Sequence, residues 1–152
     1  MNVSDTIPLT PQLWCRNPNG YVRHQSYLYE LVRWLETQGV PVSLPEDTGT
    51  WDKGVDLYVG DTRIDLKSFG LDVYSKSLTW RSKYYRGRQA PIYKGTETDY
   101  FIHPTDGPPS EWTVAPISAL HTSKFGYQPY YAKDQCMTVA ELVQDVFTSP
   151  SF

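Results

Sequence analysis

The chain has 152 residues, 39% of them hydrophobic and 20% charged, a balance that suits one globular domain burying roughly 70% of its unfolded surface. Its net charge of −3 gives no general affinity for nucleic acid, so any such role must come from a local patch, while 12 Tyr and 5 Trp make it aromatic-rich. Cys15 and Cys136 lack CxxC or Cys/His spacing, which argues against zinc and against a disulfide framework. No apolar run approaches the ~20 residues of a membrane span, and MNVSDTIPLTPQLW has no signal-peptide pattern, so a soluble cytoplasmic protein with no membrane partner is expected.

Residues 1–16 are punctuated by proline and read as an N-terminal arm. Asn17 caps a helix with Pro18 at its first position, and Leu28, Leu31, Val32 and Leu35 form its apolar stripe until Gly39 stops it. VPVSL (40–44) reads as a short strand and PEDTGTWDKG (45–54) as a polar loop. Residues 55–59 and 62–69 form a hairpin about Gly60-Asp61, whose leading glycine suits a type II′ turn. A loop and a short helix near 77–85 follow, then strands in TDYFIH (98–103) and WTVAPISAL (112–120), which close a core spanning 17–121. Thr138 and Glu141 form a capping box that opens a C-terminal helix over 138–147.

The two-residue turn pairs Val59 with Thr62 and, counting outward, sets Asp56 directly opposite Asp65. Alternation gathers Asp56, Tyr58, Arg63, Asp65 and Lys67 on one face and Val55, Leu57, Val59, Ile64 and Leu66 on the other. Directly opposed like charges destabilise a sheet, so a compensating cation is expected. A hard ion such as Mg²⁺ prefers carboxylate oxygens, with the backbone carbonyl of Leu66 as a further ligand. Lys67 is then close enough to stabilise phosphate charge or help activate a metal-bound water. The alternative is an ordinary solvated face, on which an Asp65–Lys67 ion pair contributes ~0–1 kcal/mol and a [DE]-x-K triplet is unremarkable.

The run from Tyr21 to Phe69, through LETQG (35–39), VPVS and KGVDLYVGDTRIDLKS (53–68), resembles the PD-(D/E)xK nuclease superfamily, with a layout similar to archaeal-type Holliday-junction resolvases. The resemblance implies an α/β fold of restriction-endonuclease type: an αβββαβ core whose mixed sheet is flanked by helices. It implies that Asp56 and Asp65 hold Mg²⁺, with Mn²⁺ as the substitute ion, and that Lys67 completes the catalytic set. Many members carry a glutamate on the first helix where this chain has Leu28; Glu30 is the nearest acid, a weak candidate ligand, and His24 and Gln25 lie one turn earlier.

Residues 76–94, KSLTWRSKYYRGRQAPIYK, hold six cations and no acid, interleaved with aromatic rings. Cations neutralise phosphates and rings stack on bases, so Lys76, Trp80, Arg81, Lys83, Tyr84, Arg86 and Arg88 are candidate DNA contacts; the alternative is a solvated basic segment with its rings packed inward. His103 and His121 stand at strand ends without a serine or cysteine context for a triad, and no glycine-rich phosphate loop is present. The expectation is a Mg²⁺-dependent DNA endonuclease, favoured as a homodimer or higher homo-oligomer if it cuts both strands of a duplex. The rival readings are a noncatalytic nucleic-acid-binding module of the same fold and an RNA-directed nuclease.

Overall fold

A computed structural model of the chain describes residues 2–11, 17–46, 54–82, 97–121 and 128–148. Helix α1 (Pro18–Thr37) begins where the Asn17 side chain accepts the Gly20 amide at 3.1 Å, and the left-handed φ of 75° at Gly39 follows its end. Within the expected N-terminal arm, part of the described stretch 2–11 packs on α1. Residues Val3–Thr6 form a 3-10 turn whose Val3 and Ser4 amides donate to the Glu36 carboxylate at 2.8 and 3.0 Å, and Ile7 is buried against α1.

The main sheet has six strands: β1 (Val42–Ser43), β2 (Leu57–Val59), β3 (Thr62–Leu66), β6 (Tyr100–His103), β7 (Thr113–Pro116) and β10 (Met137–Thr138), in that spatial order. It is mixed, because β3 and β6 are parallel while every other neighbouring pair is antiparallel. The β2–β3 hairpin keeps the expected Val59–Thr62 pairing, and its turn carries a φ of 58° at Gly60 with no positive φ at Asp61, the signs of a type II′ turn.

A second, antiparallel sheet has the order β4 (Leu71–Val73), β5 (Ser77–Trp80), β9 (Tyr130–Ala132), β8 (Leu120–His121). The helix expected near 77–85 is therefore corrected over its first residues: Ser77–Trp80 is a strand whose Leu78 and Trp80 are buried on alternate positions. A period of two with a β-branched Thr79 between them outweighs weak helix propensity over so short a run. The single strand expected over 112–120 is also two. After Pro116, the 3-10 turn Ile117–Ala119 carries the chain out of the main sheet and into the second one as β8.

The two faces of the main sheet build two cores. On one, Ile64, Leu66, Ile102 and Val114 pack on the stripe of α1 and on α2 (Val139–Leu142), which opens with the Thr138–Glu141 capping box and continues as a π-helical turn, Val143–Phe147. On the other, Phe101 and Ala115 meet Leu78, Trp80 and Tyr131 of the second sheet. Asp65 and Lys67 alternate with Ile64 and Leu66, so they point toward that second sheet and away from α1. Among the described residues, no helix is long and apolar enough to cross a membrane.

Candidate active site

Asp56 is not a simple cross-strand neighbour of Asp65. The ladder is regular as far as Leu57–Ile64, but the Asp56 amide also donates to the Ile64 carbonyl at 2.8 Å, so two residues answer to one as in a bulge. The Asp56 carboxylate then accepts the Leu66 amide at 2.7 Å, a proton that a continued ladder would offer to the Val55 carbonyl. The expected face-to-face opposition of the two aspartates is thereby corrected: the bulge re-aims Asp56, and each carboxylate meets its own cation.

For Asp56 that cation is His24 from α1. Its Nε2 lies 2.9 Å from the Leu66 carbonyl oxygen and 3.4 Å from Asp56 Oδ2, and its Nδ1 lies 3.3 Å from Gln25 Oε1. Both ring nitrogens thus face acceptors, as the imidazolium requires. Burial opposes the charge on His24, but the Asp56 charge and hydrogen bond, with Gln25 and the Leu66 carbonyl, outweigh it and raise the ring to about 9. Burial likewise opposes ionisation of Asp56, and the His24 charge and hydrogen bond, the Leu66 amide and Lys67 hold it below the usual carboxylate range.

For Asp65 the cation is Lys67, whose Nζ lies 3.1 Å from Oδ2. Asp65 is only 3% exposed, and burial pushes it up to about 6, with Lys67 pulling it down and the Asp56 charge pushing the same way as burial. This is not the surface ion pair of the solvated reading. The Lys67 ammonium also sits 5.4 Å from the Trp80 ring centroid and 5.8 Å from that of Phe101, within the range of cation–π attraction.

Behind those rings lies His103, fully buried, with Nδ1 3.0 Å from the Phe69 carbonyl and Nε2 2.7 Å from the Tyr131 hydroxyl. Burial, with a smaller push from the Lys67 charge and against the hydrogen bond to the Phe69 carbonyl, lowers its pKa to about 3. The ring is therefore neutral at pH 7, donating from Nδ1 to Phe69 and accepting the Tyr131 proton at Nε2. It supports the aromatic wall and has no reach to solvent.

His24, Asp56, Asp65, Leu66 and Lys67 line one cleft of about 270 Å³, with Gly54, Ser68 and Phe69 completing its wall. Glu30, six positions beyond His24 and so about 120° round the helix, is exposed and does not line the cleft, which removes it as a ligand candidate. Leu28 is in the core. Trp80 also needs correction as a DNA contact: at 1% exposure, packed edge-on to Phe101, it has no face to offer a base. Lys76 is exposed, and Arg81 is exposed but donates from Nε to Asp72 at 3.0 Å and from Nη2 to the Leu71 carbonyl at 3.1 Å. Lys83, Tyr84, Arg86 and Arg88 lie outside the described residues.

Sequence alone offers His103 only as a strand-end residue able to contact substrate or complete a turn, leaves Tyr131 unconnected, and offers His24 as a polar substitute near the metal. Its signal was the helical offset of His24 from Leu28, four residues and hence one turn along the same stripe. For His103 no local signal existed, because its partners Phe69 and Tyr131 are distant in the chain.

No protein-family model, curated protein or solved structure matches the chain. Among the described residues, no group of three or more His, Cys, Asp and Glu side chains is gathered to hold a metal ion. With His24 protonated, the side-chain donors lining the cleft are the Asp56 and Asp65 carboxylates and the Ser68 hydroxyl, which with the Leu66 carbonyl make an all-oxygen set, the ligand chemistry of a hard divalent cation.

Proposed function

We propose that the protein is a metal-dependent deoxyribonuclease of the PD-(D/E)xK type, cutting phosphodiester bonds with Asp56, Asp65 and Lys67. The observation that carries the proposal is the meeting of these three side chains and the Leu66 carbonyl in one cleft, where a buried acid, Asp65, and a half-buried one, Asp56, face two cations. The order helix, β1–β2–β3 antiparallel, then β6 parallel to β3, supports the first part of the αβββαβ reading. Between β3 and β6, the described residues form the β4–β5 hairpin.

Asp56, Asp65 and the Leu66 carbonyl would hold Mg²⁺ or Mn²⁺, which when bound supplies a Lewis acid that lowers the pKa of water. His24 keeps Asp56 ionised and aims the Leu66 carbonyl, a positive group on the helix where the resemblance implies a negative one. The Lys67 ammonium, held by Asp65 and by the Trp80 and Phe101 rings, supplies fixed positive charge toward a phosphate oxygen. Arg86 and Arg88 in the basic segment would supply contacts to the DNA backbone.

A noncatalytic nucleic-acid-binding module is the second reading, favoured by one observation: His24 and Lys67 already neutralise the two aspartates without a metal. A cleavage panel separates the two. Plasmid, branched and single-stranded DNA and an RNA are incubated with Mg²⁺, with Mn²⁺ and with chelator. Metal-dependent cutting of DNA is expected; no cutting, together with no divalent binding by calorimetry, rejects the enzyme, and cutting of RNA alone changes the substrate.

A further inference from the structure

Beside the acidic cleft lies a larger pocket of about 490 Å³ that shares two of its walls, His24 and Asp56. Its remaining lining is mostly apolar, with the Tyr21 ring, the flat faces of Pro8 and Pro45, and Ile7, Leu28 and Leu44. Gln25 also lines it, bonded from Nε2 to the Pro8 carbonyl at 3.3 Å and facing His24 through Oε1. The size falls in the ~300–1,000 Å³ range of small-ligand sites, and an apolar chamber with a few convergent polar groups is their usual make-up.

We infer that this pocket receives the unpaired nucleobase of the nucleotide whose phosphate occupies the acidic cleft, so that the preferred substrate is single-stranded or frayed DNA. The inference rests on the nuclease reading for the identity of the ligand. Three features select a base over another apolar group. The pocket opens onto the place where a phosphate would bind, so a nucleotide spans both chambers. Ring and proline faces suit a flat ligand, and the second N–H of the Gln25 amide and the second lone pair of the Pro8 carbonyl, left over from their mutual hydrogen bond, supply a donor and an acceptor for a base edge. A base inside a duplex has to leave its stack to enter such a chamber, a cost that an unpaired strand does not bear.

The test is calorimetric titration of the full chain, with Ca²⁺ and again with chelator, using thymidine 5′-monophosphate, deoxyribose 5-phosphate and indole as probes. The expected result is at least tenfold tighter binding of the nucleotide than of either other probe, in keeping with the value of one stacked base. Leu44→Trp, which fills the pocket from a half-buried position, and Tyr21→Ala should each weaken nucleotide binding about tenfold, while Tyr21→Phe retains it; circular dichroism checks that all three fold. Equal binding of nucleotide and deoxyribose phosphate overturns the inference even if the protein cuts DNA. Indole binding as tightly as the nucleotide also overturns it, since the pocket is then a general apolar hole. Selective nucleotide binding without cleavage of any nucleic acid leaves the pocket standing and rejects the hydrolase.

Discussion

His24 Nε2 lies 2.9 Å from the carbonyl oxygen of Leu66, 42 residues further along the chain, and so latches the first half of α1 to the end of β3, beside the cleft that both aspartates line. The same nitrogen reaches Asp56 Oδ2 at 3.4 Å, and both contacts favour the protonated ring.

That latch makes stability fall on the alkaline side. An unfolded histidine loses its proton near pH ~6.5, whereas His24 in the fold keeps it to about 9. Between those values the folded state holds more protons, so the contribution is full below the unfolded value and lost as pH rises through the folded one. Urea unfolding of the wild type from pH 6 to pH 10 should show this decline, and His24→Gln should flatten it. An unchanged slope in the variant would sink the latch.

Removing Lys67 should be costly in a pH-dependent way. Lys67→Ala leaves Asp65 buried without its cation, an effect of roughly 3–5 kcal/mol for a broken buried pair. Because Asp65 titrates near 6 in the fold and about 3.9 unfolded, its ionisation already costs stability as pH rises through that interval. The variant's loss should therefore be large at pH 8 and small at pH 4, and Asp65→Asn in the same background should restore much of it. Both Lys67→Ala and Asp65→Ala should abolish cutting while DNA binding in Ca²⁺ persists; normal cleavage by either removes the site assignment.

Trp80 should matter to stability and not to DNA contact. Trp80→Ala empties the second core and should cost about 3–5 kcal/mol, Trp80→Phe less. DNA affinity of the folded fraction should be unaltered by Trp80→Phe. A selective loss of affinity at unchanged stability would put the indole back in the interface.

His103 should weaken the fold in acid. Its folded value near 3 lies below the unfolded ~6.5, so its contribution is present above the unfolded value and lost as pH falls toward the folded one. His103→Gln should lower stability at pH 7, by disturbing the hydrogen bonds to the Phe69 carbonyl and the Tyr131 hydroxyl, and should make the profile between pH 3 and 6.5 shallower. Equal slopes in acid would mean that another group carries the transition.

Joint Arg86→Ala and Arg88→Ala should weaken DNA binding and reduce the slope of log K against log salt by up to about 2. Arg81→Ala should have a smaller effect, since its guanidinium is already engaged with Asp72 and the Leu71 carbonyl. A salt slope left intact by the double variant would locate the phosphate contacts elsewhere.

Local chemistry alone determined much of this protein. The Asn17 cap and Gly39 stop bound α1, Gly60-Asp61 registers the hairpin, and Thr138 with Glu141 opens α2, because each is an interaction within a few residues. Asp56, Asp65 and Lys67 were legible as a group for the same reason: a two-residue turn brings them together. What only the tertiary structure decided are contacts between distant segments. The β4–β5–β9–β8 sheet buries one face of the main sheet, turning Trp80 from a surface ring into core and an exposed ion pair into a buried one. The bulge at Asp56 and the arrival of His24 from α1 were equally hidden, since burial of like charges is relieved by whichever cation the packing brings within reach, and no local pattern says which one that is.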